Sequence, residues 1–278
     1  MVRILVDTSS DYSIEELKLR NIELISLNIT VEDKSYRDSV DITRNEVYDM
    51  LINQGLFPKT SQPSPQDYVE IFEDVKEKGD SMVVITLSSA LSGTYQSALL
   101  SKDMVDYDEI YVVDSLSATH GIRHLCEHAC DLRDQGADAA TIAKEVDALK
   151  SRSVILAGVD TLEYLCRGGR VSRAAAAVGE LANVKPIITV TEEGFVAVTA
   201  KCLGRNKAIA SLVKSISSYE IDDNFPVYTV YAVGEENTEK LEEKLSTVGI
   251  TTGPRLQLGA TIGVHVGPGA YGVMFIKK

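Results

Sequence analysis

The sequence predicts an α/β protein of two domains, and three observations carry that prediction. Short apolar strands alternate with capped helices through the first half, the pattern of a parallel sheet with helices on both faces. The second half changes to a hairpin, a long helix and terminal strands, which reads as a mixed α/β layer. The length of 278 residues suits two cores of ordinary size. The boundary is placed near residue 153, giving 1–152 as an N-terminal α/β domain with a parallel sheet and 153–278 as a C-terminal mixed α/β sandwich. No Pro- or Ser-rich linker separates them, so they should pack closely with any ligand between them.

Arg3 to Asp7 reads as a short buried strand, and Ser13 caps a helix whose first turn holds Glu15 and Glu16, as the helix dipole prefers. Ile22 to Val31 is apolar and β-branched, with a turn at Glu32-Asp33-Lys34 into an extended piece near Tyr36. Thr43 with Glu46 forms a capping box for a helix that stops at Gly55. Ser64-Pro65 opens the next helix and Gly79 closes it. Met82 to Leu87 is a continuous apolar run, hence a central parallel strand, followed by a helix at Ser92 and a strand at Ile110 to Val113. Two helices punctuated by Gly136 complete the first half. In the second, Leu165 to Arg170 breaks a helix with two glycines. Pro186 to Thr191 and Phe195 to Thr199 form a hairpin. A helix from about Arg205 to Tyr219, a strand at Val227 to Val233 and a charged helix around Glu236 to Leu245 precede the terminal strands.

An apolar fraction of 44% and a charged fraction of 25% are those of a soluble globular protein. The formal net charge of −13 argues against nucleic acid and against docking on anionic lipid, since both need concentrated Lys and Arg. The first apolar run is too short for a signal peptide and no later stretch approaches a membrane span, so stable membrane insertion is not expected. Cys126, Cys130, Cys166 and Cys202 are few and scattered, which fits a reduced, cytoplasmic protein.

Two serine-rich turns and one late histidine carry the chemistry. The turns are Thr60-Ser61-Gln62-Pro63-Ser64 and Ser88 to Ser97; the third element is Gly263 to Ala270, with His265. Each turn lies where an extended segment hands over to a helix, where unpaired backbone N–H groups attract anions. Small hydroxyls and a histidine without flanking Lys or Arg suit one carboxylate in a dry place, and suit a polyphosphate poorly.

Asp7-Thr8-Ser9-Ser10-Asp11, Thr60-Ser61-Gln62-Pro63, Leu91 to Ala98, Asp114-Ser115, Leu165 to Arg170, Lys185-Pro186 and the terminal glycine-rich segment, in this order, resemble the DegV family of bacterial fatty-acid-binding proteins, which also supplies the binding subunit of bacterial fatty acid kinases. The resemblance implies two α/β domains with a long-chain fatty acid enclosed between them, its carboxylate held by Thr60, Ser61, Ser92 and His265. It implies a binding protein without cofactor or metal, acting in lipid transport or presenting the carboxylate to a separate ATP-dependent kinase subunit. It also brings Arg170 near the ligand end, where a partner or phosphate contact is one reading and a cation at a helix C-terminus is the other. The chain departs from the family at Gly263-Val264-His265-Val266, where Ile-Gly-Pro-His or Ile-Gly-Thr-His is common.

Simpler readings stand beside these. Ser92 serves equally as the N-cap of a helix beginning at Gly93. As the nucleophile of a serine hydrolase or thioesterase, with His265 as base, it lacks the Gly-x-Ser-x-Gly elbow, because Ala90 and Thr94 flank it. Thr60 and Ser61 suit a plain turn before the Ser64-Pro65 helix. A lone histidine is usually structural, but the glycines around His265 let backbone approach a ligand, and a bound carboxylate would favour its charged form. Gly267-Pro268-Gly269-Ala270-Tyr271-Gly272 matches Gly-x-Gly-x-x-Gly, but Val273 to Lys278 leave no room for the helix and ribose-binding acid that motif needs. His120, His124 and His128 share a helix face at four-residue spacing. With no obvious partner for a metal, that face reads as partly solvated.

Overall fold

The computed structural model describes residues 1–172 and 183–278. The first half is built on four parallel strands in the order β2-β1-β6-β7: β1 Val2–Asp7, β2 Glu23–Ile25, β6 Ser81–Thr86 and β7 Ile110–Asp114. Five of the six residues of β6, Met82 to Thr86, are buried, because a parallel sheet covered on both faces hides side chains of both parities. A second, antiparallel sheet joins β3 Asn28–Val31 to β4 Lys34–Arg37 and to β5 Lys59–Ser61. The second half forms six strands in the order β10-β9-β8-β13-β11-β12. They are β8 Ser153–Gly158, β9 Val184–Val190, β10 Val196–Leu203, β11 Tyr228–Tyr231, β12 Arg255–Gln257 and β13 Tyr271–Ile276, of which only β11 and β12 pair in parallel.

The helices follow the capping chemistry. Ser13, Thr43 and Ser64 close reciprocal capping boxes on α1 Ile14–Arg20, α2 Arg44–Ile52 and α3 Pro65–Lys78, and Gly79 ends α3 in the left-handed conformation. Next come α4 Thr94–Val105, α5 His120–Asp134, α6 Ala139–Leu149, α7 Glu163–Arg167, α8 Arg205–Ile216, α9 Glu236–Thr247 and α10 Ala260–Val266. One hydrophobic cluster runs from Ile4 and Ile85 through Ile122 and Ala157 to Val264 and Met274, so residues of both halves share the principal core.

Three expectations change. Ser92 does not cap α4: Gly93 occupies the cap position and the helix starts at Thr94. His265 lies on α10 rather than in a glycine loop. The histidine face of α5 is not solvated, since His120 and His124 are buried against β11, His124 stacking 4.6 Å from the Tyr228 ring, and half-buried His128 meets Phe225. The His124 Nε2 pairs with the Pro226 carbonyl at 2.8 Å. Burial of two β11-facing rings is what the packing of α5 on the second sheet requires, and it removes them from solution chemistry.

Burial pushes the His124 pKa down to about 4 and that of His120 down as well, with the positive charge of Arg123 adding to both. An unfolded histidine binds its proton near pH 6.5, so the unfolded state holds more protons between that value and 4 and acidification over this window favours unfolding. His124→Gln is therefore expected to lose less stability than the parent on going from pH 7 to 4.5, a difference on the order of 2–3 kcal/mol at the acid end. Parallel melting curves across that range check it.

Candidate functional site

Thr60 sits at the middle of β5, opposite Ile29 of β3. Strand alternation turns Thr60 inward and leaves Lys59 and Ser61 exposed. Ser61 is thus not among the residues lining the cavity described below, although it adjoins one that is. The chain then packs onto the start of α4: the Pro63 carbonyl accepts from Ser97 Oγ at 2.9 Å. The Gln62 amide fills the place of a side chain at Gly93, where a Cβ would lie 1.9 Å from Gln62 Oε1. The two serine-rich turns are therefore one packed unit.

Ser92 ends the turn after β6, beyond the C-terminal edge of the parallel sheet, where open α/β sheets place their ligands. Carboxylates at the ends of neighbouring strands hold this turn. Asp7 accepts from the Leu87 amide at 2.7 Å, and Asp114 from the Ser89 amide at 3.0 Å. Ser88 Oγ reaches across to the Gly194 carbonyl at 3.0 Å. The Ser92 hydroxyl shares a hydrogen bond of 2.8 Å with Thr94 Oγ1.

His265 reaches the same place from the other end of the chain. Its Nε2 lies 2.7 Å from Thr60 Oγ1, and its buried Nδ1 has no hydrogen-bond partner among the described residues. It rests on the Gly168 turn, where a Cβ would come within 2.2 Å of that Nδ1. The short helix α10 is held from the first half of the chain. Asp38 accepts from the Thr261 amide at 3.1 Å and from its hydroxyl at 2.6 Å, Tyr48 donates to the Leu258 carbonyl at 3.1 Å, and Arg44 to the Gln257 carbonyl at 2.9 Å. Burial, with the nearby positive charge of Arg170 adding to it, pushes the His265 pKa down to about 4. The imidazole is therefore neutral at pH 7, and an anion bound beside it would draw a proton back.

Arg170 completes the cluster. It donates through Nε to the Leu91 carbonyl at 2.9 Å and through Nη1 to the Gly168 carbonyl. Arg3, Arg123 and Arg255 each meet carboxylates, but among the described residues none pairs with Arg170. Burial pushes its pKa down, as expected of a guanidinium that has lost water.

Thr60, Ser92, Arg170 and His265 stand together on the wall of one narrow cavity. The rest of its lining is mainly apolar and comes from both halves, including Leu27, Leu87, Ile155, Ile188, Val230 and Met274. On the outer side of Thr60, Arg170 and His265 lies a second hollow bounded by Phe57, Lys59, Tyr164 and Arg167, whose guanidinium stands 3.8 Å from the centre of the Phe57 ring. Ser92 and His265 do not form a hydrolase dyad, since each bonds a threonine instead, and no described carboxylate orients His265 Nδ1. Among the described residues no group of three or more His, Cys, Asp or Glu side chains could hold a metal ion, and no helix is long and apolar enough to cross a membrane.

A family model described as "Uncharacterised protein, DegV family" matches residues 1–278. The chain belongs to the DegV family. A DegV domain-containing protein of Caldanaerobacter subterraneus subsp. tengcongensis is 37% identical over 279 residues, which cover 100% of this chain and 99% of the relative. Among solved structures, a DegV protein of Thermus thermophilus described by its fatty acid binding superposes with a TM-score of 0.88 at 29% identity, covering 100% of this chain and 99% of the other. A stearic-acid-binding protein of Eubacterium ventriosum does so with a TM-score of 0.89 at 30% identity, with the same coverage. The expected α/β class, a parallel sheet followed by a mixed layer, is that of these DegV structures.

The sequence left Arg170 between a partner contact and a cation at a helix C-terminus; the structure adds that among the described residues no carboxylate pairs with its guanidinium. Gly168 was read as a helix breaker, whereas here it also makes room for His265. Because Gly168 has φ −72°, alanine is tolerated by the backbone. Gly168→Ala is therefore expected to displace the imidazole from Thr60 while the melting temperature changes little, and ¹⁵N spectra of the imidazole ring in ligand-free protein check this.

Proposed function

We propose that this DegV protein binds one long-chain fatty acid, with the acyl chain in the cavity between residues 1–152 and 153–278 acting as two lobes and the carboxylate at Thr60, Ser92, His265 and Arg170. The observation that carries the reading is Arg170: a half-buried cation without a described carboxylate partner, beside two hydroxyls and an imidazole, at an apolar cavity. That combination matches an amphiphile with one negative charge. The described ligands of the solved DegV relatives, stearic acid among them, support it. Ser61 is left a supporting place at the rim, since its exposed side chain faces away from the cavity-lining Thr60.

The protein is a carrier in this reading, not a catalyst, and its partner is an ATP-dependent fatty acid kinase subunit. The outer hollow supports this, because it adjoins the head-group residues and its exposed Lys59 offers a cation to an incoming phosphate, while Arg167 is paired with Glu163 at 2.7 Å. A cytoplasmic setting is consistent with four free cysteines. Organic extraction of freshly purified protein followed by mass spectrometry is expected to yield one fatty acid per chain, and protein that is empty and also ignores added palmitate would refute the proposal. Fluorophosphonate should leave Ser92 unlabelled; labelling would restore the hydrolase.

The Thr60→Ala, Ser92→Ala double variant is expected to keep the fold and to bind palmitate at least about a hundredfold more weakly, since each donor lost to a charged group costs roughly 1.5–3 kcal/mol. A titration against the parent protein measures it.

A further inference from the structure

Asp11 and Thr119 lie apart from the head-group cluster, yet their geometry is unusual. Thr119 is buried, lines the acyl cavity and opens α5 with φ 49° and ψ −134°. A β-branched residue at positive φ is a genuine outlier, and such strain persists only where surrounding contacts impose it. The contact here is a hydrogen bond of 2.5 Å from Thr119 Oγ1 to Asp11 Oδ2. Asp11 is itself buried and left-handed, with φ 61°. Its other oxygen, Oδ1, is sealed against Gly259, where a Cβ would lie 2.4 Å away; the Gly259 amide is near enough to favour the ionised form but falls short of a hydrogen bond. Gly259 is the residue from which α10 starts, and His265 follows six residues on, about 9 Å along the axis.

We propose that Asp11 is a positioning residue for head-group recognition: with Thr119 it ties the wall of the acyl cavity to the start of the helix that carries His265, so that filling the cavity and setting the imidazole are coupled. Asp11 is held there at a cost. Burial pushes its carboxyl up to about 7 and Asp38 adds to the rise, against the favourable hydroxyl of Thr119 and charge of Arg44. Tyr48 of α2, also in its electrostatic reach, bonds the Leu258 carbonyl just before α10. An acyl chain pressing on Thr119 moves the one hydroxyl that Asp11 holds, and Asp11 transmits the shift to Gly259 and α10.

The inference rests on the fatty-acid reading, and one set of ¹⁵N spectra separates the two. In wild-type protein, added palmitate should shift the backbone amides of Asp11, Thr119 and Gly259 together with the His265 ring. If palmitate shifts nothing, the fatty-acid reading fails; if it shifts His265 but leaves those three amides in place, the coupling fails. In ligand-free Thr119→Val, which keeps the side-chain shape and removes the hydroxyl, the His265 ring signals should move or broaden and palmitate should bind roughly fivefold or more weakly. Thr119→Ser should restore both. A Thr119→Val protein with a lowered melting temperature but wild-type His265 signals would reduce the pair to fold support and overturn the proposal.

Discussion

The hydrogen bond of 2.7 Å between Thr60 Oγ1 and His265 Nε2 joins positions 205 residues apart, and the head-group cluster depends on it. It exists only because α10, which belongs to the second half by sequence, is anchored on the first by Asp38, Tyr48 and Arg44. Those anchors set the helix, the helix sets the ring, and the Gly168 turn closes behind it. Arg170 then spans back to the Leu91 carbonyl, so the same few bonds that build the cluster also clasp the two halves together at one end.

The physics of an amphiphile accounts for this division of labour. Taking a long acyl chain out of water is worth about 0.8 kcal/mol per methylene, on the order of 10 kcal/mol gross. An unpaired carboxylate in the same dry place would cancel much of that. The protein answers with two hydroxyls, a neutral imidazole able to take a proton, and a guanidinium whose charge no described carboxylate quenches. A site made only of hydroxyls would serve a neutral alcohol as well as an acid, so in the proposed reading Arg170 and His265 are what make charge part of the recognition.

Much of this was legible in the amino-acid order because it rests on local chemistry. The Ser13, Thr43 and Ser64 boxes, the apolar run of β6 and the turn before Phe195 each follow from a few neighbouring residues. What escaped depends on tertiary contact. The segment Ala260–Val266 contains Gly263 and two valines, poor helix formers, and is helical because Asp38 and Tyr48 hold it. Lys59–Ser61 is too short to declare itself as a strand until β3 pairs with it, and that pairing is what separates Thr60 from Ser61. The α5 histidines have solvent-like spacing but meet an apolar sheet, and that no described carboxylate pairs with Arg170 is a fact about distances that no local pattern encodes.

The account stands or falls on where the carboxylate lies and what charge it carries. Palmitate labelled with ¹³C at its carboxyl carbon, bound to the protein and followed by NMR between about pH 5 and 8, reports both directly. The account predicts one slowly exchanging resonance, distinct from free palmitate, that stays at the ionised position throughout because Arg170 and His265 hold the anion, and that moves in Thr60→Ala. A resonance that titrates as a free fatty acid does and ignores Thr60→Ala would place the carboxylate in solvent and contradict it.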